Sequence, residues 1–225
     1  MLINDWSVIY LTMNQTARSQ RWQRRKDFRP AELLEAALDV FFEKGFAAAR
    51  LEDIATRAGV SKGTIYLYFQ SKEDVFEALV RSIPQPNIEQ LRALAADTSI
   101  PADVMLRRVL TFMGGLLREG RMAMFPRLVI GEGGRFPKLA EAYKREVISR
   151  GVSVISSIIE RGIAEGRFRK VDPIHAAYGA VSPVLFVAIW RTTFEHFDIS
   201  PLDGAAFVEQ HIDTFLRGIT VGGEP

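Results

Sequence analysis

Residues 45–72 read GFAAARLEDIATRAGVSKGTIYLYFQSK, and two short helices joined by a tight turn can be recognised in them. Apolar side chains recur at i, i+3, i+4 and i+7, the spacing of one helix face; they are Leu51, Ile54, Ala55 and Ala58. Gly59 follows, at a position where the end of a helix favours a residue that can adopt φ > 0. The first of the two helices is therefore predicted to end at Gly59.

A second helix is predicted after the corner residue Val60. Ser61 is a favourable N-cap because its hydroxyl can accept a hydrogen bond from the backbone N–H of Thr64. Ile65 and Phe69 are four residues apart and are expected to face inward. The same spacing places polar and aromatic pairs on the other faces, namely Lys62 with Tyr66 and Thr64 with Tyr68. This arrangement is a helix-turn-helix, whose second helix enters the major groove of DNA.

The segment AGVSKGTIYLYFQSKEDVF resembles the DNA-binding motif of the TetR family of bacterial transcriptional regulators. The match runs from about Pro30 to Leu79, and its pattern IA-x-x-AGVS-x-GT-x-Y-x-YF-x-x-K is long and nearly uninterrupted. The remaining sequence has the length and helical character expected of the family's regulatory domain. The resemblance therefore implies a cytoplasmic protein that binds a double-stranded DNA operator.

The resemblance also implies which side chains contact DNA. Gly63 would let the backbone approach the duplex closely, and Tyr66 and Tyr68 resemble the family's phosphate- and base-contacting aromatics, although they could instead brace the head. Lys72 matches the family's phosphate-binding lysine. Arg50 is placed for a backbone phosphate, where many relatives carry Ser or Thr. The predicted DNA-binding residues are Arg50, Ser61, Lys62, Gly63, Thr64, Tyr66, Tyr68 and Lys72.

A homodimer formed through the last two helices is a further implication of the resemblance. Two features of the sequence suit it independently. Residues 176–190 carry no charged side chain, which predicts a helix buried between layers, and residues 203–219 have an amphipathic pattern. The alternative is that both helices are ordinary core. The predicted interface residues are Val184, Val187, Val208, Ile212, Phe215 and Leu216.

Family bodies generally enclose a pocket for a small molecule whose binding moves the two heads apart. Methionine and aromatic side chains would give such a pocket an adaptable apolar wall, which favours a small hydrophobic effector. Arg127 lies in an apolar run and could pair with a ligand acid or form a surface salt bridge. The candidates, each of which could instead be plain core, are Phe112, Met113, Leu116, Met124, Phe125, Arg127, Tyr143, Tyr178 and Trp190.

The rest of the chain predicts an all-α fold. No segment alternates with a period of two over a useful length, and about nine helices are expected, three of them in the head. Pro84 and Pro86 interrupt the fourth helix and mark either a hinge or its end. The predicted divisions are 1–29, an extension with a basic arm; 30–75, the helix-turn-helix domain; 76–219, the ligand-binding and dimerisation domain; and 220–225, a fraying tail.

The chain has 225 residues, no cysteine and a net charge of only +2. The absence of cysteine excludes disulfides and thiolate metal sites and fits a reducing cytoplasm. Charge is unevenly placed, since residues 1–29 hold six basic and two acidic side chains while residues 30–83 hold six and nine. The basic arm could meet phosphates or a minor groove, or it could be a solvated tail.

The first twelve residues, MLINDWSVIYLT, are apolar without a basic n-region, and the run is too short to span a bilayer. They are interpreted as neither a signal peptide nor a membrane anchor. Translation could start naturally at Met13, or the stretch could be an added segment that packs on the body.

The sequence contains no G-x-S-x-G, H-E-x-x-H or Cys/His arrangement, so we predict neither an enzyme nor a cofactor or metal site. The interpretation that fits best is a dimeric repressor released from a palindromic operator by a small hydrophobic effector. An activator of the same fold and a nonspecific architectural DNA binder are the alternatives.

Overall fold

The computed structural model describes residues 30–116 and 120–222. Its helices are α1 (Pro30–Ala48), α2 (Leu51–Arg57), α3 (Lys62–Tyr68), α4 (Lys72–Ser82), α5 (Pro84–Ala95), α6 (Ala102–Leu116), α7 (Gly120–Glu132), α8 (Pro137–Tyr143), α9 (Ser149–Ala164), α10 (Pro173–Thr193) and α11 (Gly204–Ile219). A π-helical turn, Lys144–Ile148, joins α8 to α9, and a 3-10 turn, Glu195–Phe197, follows α10. Within the described ranges, β-structure is limited to one isolated bridge between Phe168 and Thr220. The all-α prediction is confirmed, and the described helices number nine if α4–α5 and α8–α9 each count as one.

Helices α1 to α4 form a head around an apolar core. Gly45 has a φ of 75° and interrupts α1. Gly59 has a φ of 69° and turns the chain between α2 and α3, as predicted. The side chains of Leu33, Ile54 and Ile65 are fully buried and hold α1, α2 and α3 together.

Helix α4 leads from the head towards the body. It begins with a capping box in which the Ser71 hydroxyl accepts from Asp74 N–H and the Asp74 carboxylate accepts from Ser71 N–H. It ends at Ser82, and Pro84 opens α5 after the single residue Ile83. Proline is tolerated in a first turn because the N–H there has no helical partner. The prolines therefore end one helix and start the next, while the division proposed between residues 75 and 76 falls inside α4 and stays a prediction.

Helices α5 to α11 form the body, whose core includes Met105, Leu106, Ile155 and Ile159, all fully buried. The helix that begins at Pro137 continues through the π-helical turn into α9. It closes near Gly162, where an added Cβ would lie 2.1 Å from the ring of Phe168. Glycine at that position lets the connection to α10 pack directly on α9.

An aromatic column extends the head core into α7 and α8. Ring centroids are 5.0 Å apart for Phe41 and Phe46, 6.1 Å for Phe46 and Phe76, 6.3 Å for Phe76 and Phe125, and 6.4 Å for Phe125 and Tyr143. The first three residues belong to the head, whereas Phe125 lies on α7 and Tyr143 on α8. Burial raises the pKa of the Tyr143 phenol well above its ordinary value. The head core therefore includes side chains from two helices of the body.

Helix α10 is less buried than its sequence predicts. By length and composition alone it would pass for a membrane span, a criterion that core helices of soluble proteins also satisfy, and only 28% of its most apolar window is buried. Its inner side, including Ala177, Ala180 and Val187, packs into the body. The expectation of a helix enclosed on all sides is wrong for the described part of the chain, because none of the described helices covers the outer side of α10.

Three predicted features lie outside the described residues: the basic arm in residues 1–29, the apolar segment within it, and the end of the tail at residues 223–225. At the edge of that tail, Thr220 lies opposite Phe168 in the isolated bridge.

Candidate nucleic-acid interface

Helix α3 is short and firmly capped. Ser61 accepts a hydrogen bond from Thr64 N–H at 3.2 Å, as predicted, and the two hydroxyls are 2.8 Å apart. Ile65 is fully buried and anchors the inner face of this seven-residue helix. The cap and the anchor fix the direction of α3, so its remaining side chains project outward in a defined arrangement.

The outward side of α3 carries the predicted contact residues and one that was missed. Tyr66 and Tyr68 are exposed, and Leu67 is 83% exposed. Leu67 was overlooked because apolar residues in a helix were assigned to the core, yet a helix rotates about 200° over the two residues from Ile65 to Leu67. A Cβ added to Gly63 would meet nothing closer than 3.9 Å. The protein's own packing therefore does not require glycine there.

Glu52, on α2, holds two of the predicted DNA contacts. One carboxylate oxygen lies 2.7 Å from Lys62 Nζ and accepts a hydrogen bond from the Tyr66 hydroxyl at 3.1 Å. Hydrogen bonds from Lys62, from its own backbone and from Tyr66 lower the pKa of Glu52 to about 2. The same ion pair raises the pKa of Lys62. In the free protein these two donors are therefore already engaged by a carboxylate on the outer surface.

Lys72 is placed differently from its prediction as a phosphate ligand. Its ammonium donates to the carbonyls of Phe46 at 2.6 Å and Ala47 at 2.9 Å, with the carbonyl of Ala49 at 3.5 Å. It also lies 4.9 Å from the ring centroid of Phe136. An ammonium has three N–H donors, and here all three face carbonyls at the end of α1. In this conformation the side chain closes a helix end and is not free to meet a phosphate.

The other charged groups of the head are largely paired. Arg50 is the N-cap residue of α2, exposed, with its backbone N–H donating to Asp53 at 3.1 Å. Lys44 pairs with Asp53 at 2.8 Å, and both terminal nitrogens of Arg57 donate to the carboxylate of Glu43. Several of the acidic side chains in residues 30–83 thus form ion pairs within the head.

The predicted pocket residues separate into groups. Met124, Phe125 and Arg127 line a cleft of about 600 Å³ between the head and the body. Tyr143 is buried beside Phe125 in the aromatic column. The other five lie elsewhere in the body: Phe112 and Met113 pack against its core, Leu116 ends α6 half-buried, Tyr178 is exposed on α10, and the Trp190 indole N–H donates to Asp198 at 2.7 Å.

The predicted interface residues mostly point into their own chain. Val187, Val208, Ile212 and Leu216 are buried in the body core, so their side chains are not available to a second copy. Val184 and Phe215 are half-buried against the same core. The outer apolar side of α10 and α11 is formed by residues that were not predicted at the interface, namely Ile174, Tyr178, Leu185, Phe186 and Phe207. Among these five, only Tyr178 was a predicted site residue, and it was assigned to the pocket.

No group of three or more His, Cys, Asp or Glu side chains suited to a metal ion occurs among the residues that the structure describes. The buried Nε2 of His211 has no hydrogen-bond partner among the described residues. Burial lowers the pKa of His211. A hydrogen bond with the Gly179 backbone raises that pKa, but its effect is smaller than that of burial.

Comparison with known proteins agrees with this geometry. Residues 33–79 match the family model for bacterial regulatory proteins of the tetR family, and residues 103–218 match the C-terminal domain of AefR-like transcriptional repressors. The chain is 28% identical over 204 residues to the HTH-type transcriptional regulator RutR of Escherichia coli K12, covering 86% of this chain and 89% of that protein.

Two solved structures share the fold. FadR from Bacillus subtilis, in complex with stearoyl-CoA, has a TM-score of 0.69 and 23% identity, covering 85% of this chain and 100% of that one. The SmeT–triclosan complex has a TM-score of 0.72 and 21% identity, covering 87% and 93%. Because the family models cover both the head and most of the body, the chain belongs to the TetR family of bacterial regulatory proteins and is a DNA-binding transcriptional regulator.

Proposed function

We propose that this regulator is a repressor that binds a palindromic operator as a homodimer and is released by a small hydrophobic effector. The observation that carries the proposal is the outer side of α3. It is a capped, rigid surface with two exposed tyrosines and an exposed leucine, and its anchor Ile65 is buried. A helix presented in this way fits the major groove, where base edges are read.

Different residues of α3 would then have different tasks. Lys62 and the Tyr66 hydroxyl can donate to phosphates once Glu52 is displaced, and phosphate contacts supply most of the affinity for a duplex. Leu67 and Tyr68 can contact base edges, and apolar side chains pack well against the methyl group of thymine. Gly63 would permit close approach of the α3 backbone to the DNA.

The outer side of α10 and α11 supports the proposed dimer. Ile174, Tyr178, Leu185 and Phe186 recur at near-helical spacing on α10, and the tilted rings of Phe207 and Phe186 have centroids 5.4 Å apart. Exposed apolar patches of this kind mark interfaces. A second copy covering this surface would supply the layer that α10 lacks. It would also provide a second α3 for the other half of a palindrome, about 34–36 Å away for adjacent major grooves.

The effector class is supported by the apolar lining of the cleft between head and body and by the relatives described above. Of these, FadR is described in complex with stearoyl-CoA and SmeT in complex with triclosan. We also propose that the chain works in the cytoplasm, where its operator is, and that it binds without catalysing a reaction, as the matched relatives are transcriptional regulators.

Selection of bound duplexes from a random pool tests the proposal. A repressor of this kind should enrich one palindrome and bind it about 10³-fold or more tightly than a random duplex. Equal affinity for all duplexes would instead indicate an architectural DNA binder. Transcription in vitro from a promoter carrying the selected site should then fall when the protein is added, and a rise would identify an activator.

A further inference from the structure

The cleft of about 600 Å³ is formed by the head and the body together. Phe41 and Phe42 from α1 line one side, Phe125 and Arg127 from α7 line another, and the end of α10 contributes Ile189. A volume between about 300 and 1,000 Å³ is typical of sites for small molecules. Any occupant would touch the helix-turn-helix head and the regulatory body at the same time.

The mouth of the cleft is apolar although it faces solvent. Phe42 is 47% exposed, Ile130 58% and Phe194 46%. Deeper in the cleft, Phe41 and Phe125 are fully buried and form its floor. Exposed apolar surface grouped at the entrance of a concave site favours an occupant with a hydrocarbon portion, because burial of that surface contributes roughly 25 cal/mol per Å².

Charged side chains around the cleft are already paired, with a single exception. Glu43 binds Arg57, Lys44 binds Asp53, and Glu132 accepts a hydrogen bond from Ala47 N–H at 3.3 Å.

Arg127 is the exception. Its guanidinium carbon lies 5.2 Å from the ring centroid of Phe42, and no carboxylate in the described part of the chain lies within ion-pair distance. A guanidinium stacked on a ring keeps its edge N–H donors free, in the planar arrangement that matches a carboxylate.

We propose that this cleft binds an amphipathic carboxylate, with its hydrocarbon chain on the Phe41 and Phe125 floor and its carboxylate on Arg127. The inference rests on the proposed function, since it assigns the place and class of the effector. It differs from a pocket enclosed by the body alone, because here the ligand contacts α1 directly.

Occupation of the cleft would bear on the orientation of the head. A hydrogen bond from Ala47 N–H to the Glu132 carboxylate links the two walls. It lies next to Gly45, where an added Cβ would be 3.2 Å from Glu132 Oε1. A ligand shifts an equilibrium only by its differential affinity for the two states. A molecule wedged between α1 and α7 binds both walls in one arrangement and not in another, which provides that difference.

Decanoate and 1-decanol provide a matched pair of probes, because they share a hydrocarbon chain and differ in the acid group. Binding is measured by calorimetry with the full chain, below micellar concentrations. Hydrogen bonds to charged groups are worth about 1.5–3 kcal/mol, or roughly 10- to 150-fold in affinity. Decanoate should therefore bind at least about tenfold more tightly than decanol, and Arg127→Gln should remove this preference while leaving decanol within about twofold.

Arg92→Gln is the control, since Arg92 is exposed on α5 and its nearest carboxylate, Glu89, lies 3.7 Å away. This variant should keep the wild-type preference. Phe194→Ser should weaken both probes. If Arg127→Gln does not fold, Arg127→Lys replaces it and should lose part of the preference, because lysine lacks the planar fork. Equal affinity of wild type and Arg127→Gln for decanoate would overturn the proposal.

Failure of this inference and failure of the proposed function give different results. If the chain selects a palindrome but decanoate binding is independent of Arg127, the regulator stands and the cleft is not its effector site. If no duplex is preferred while Arg127-dependent decanoate binding is measured, the cleft stands as a ligand site and the operator model fails. Release of the selected duplex by decanoate, lost in Arg127→Gln, would support both together.

Discussion

Removal of the Glu52 carboxylate should strengthen DNA binding. In the free protein this group holds Lys62 Nζ at 2.7 Å and the Tyr66 hydroxyl at 3.1 Å, on the surface that is proposed to meet the duplex. Glu52→Gln keeps the shape of the side chain and removes its negative charge. Lys62 would then be free to neutralise a phosphate, and the like-charge repulsion between Glu52 and the backbone of DNA would disappear.

The salt dependence gives the magnitude. Each additional phosphate neutralised steepens the slope of log K against log salt by about 0.9, so one Lys62 in each half of a dimer adds about 1.8. Between 50 and 200 mM salt, a fourfold change, the advantage of the variant over wild type should shrink by about 12-fold. The gain should be similar for the selected operator and for a random duplex, because phosphates carry no sequence information.

Fluorescence anisotropy of a labelled duplex across this salt range measures both slopes. Glu160→Gln provides the matched control, since Glu160 is exposed on α9 in the body and loses the same charge. The double variant Glu52→Gln with Lys62→Gln should lose the steeper slope. Identical slopes for wild type and Glu52→Gln would refute the reasoning, because removal of the Glu52 carboxylate would then leave the number of phosphates that the dimer neutralises unchanged.

Three further outcomes are expected. Lys72→Met should lower the free energy of unfolding by about 2 kcal/mol in thermal denaturation, because charge-assisted bonds to the carbonyls closing α1 are lost; unchanged stability with weaker DNA binding would restore its role as a phosphate ligand. Phe186→Asp should yield folded monomers by sedimentation, whereas Ile212→Asp should unfold the chain, since the first side chain is exposed and the second buried; a folded Phe186→Asp dimer would move the interface elsewhere. Because burial lowers the pKa of His211, the unfolded chain binds a proton on this imidazole more readily than the folded chain does. The stability contributed by neutral His211 should therefore be present above about pH 6.5 and decline as the pH falls below it. The midpoint of thermal unfolding should fall less with decreasing pH in His211→Gln than in wild type, and an equal fall would assign the pH dependence to other groups.

Local chemistry was predictable from the sequence, and the structure shows why. The cap at Ser61 and the positive φ at Gly59 depend on residues within a few positions, so turn and capping preferences were sufficient. Ile65 was assigned to the core because its spacing to Phe69 is a helical one. These features fix the head, whose helices begin and end close to the predicted residues.

Features that depend on distant residues were not predictable. Lys72 meets carbonyls 23 to 26 positions earlier in the chain, and Glu52 reaches a tyrosine 14 positions later. Most side chains selected for the interface are buried in their own chain, and the reason is a different one. Helix α10 is apolar on every side, so polar and apolar residues do not alternate along it with a helical period. Its sequence therefore cannot show whether the side of Val187 or the side of Phe186 faces the body.

The aromatic column has a consequence for anyone who wishes to build chimeric regulators. Exchanging heads between relatives at the start of α5 would separate Phe76 from Phe125, which touch across that junction at 6.3 Å. A transplanted head would expose to solvent the aromatic side chains that Phe125 covers in this protein. Grafts of operator specificity onto this scaffold should therefore replace only the outward side chains of α3, or should carry Phe125 and Tyr143 along as part of the transferred piece.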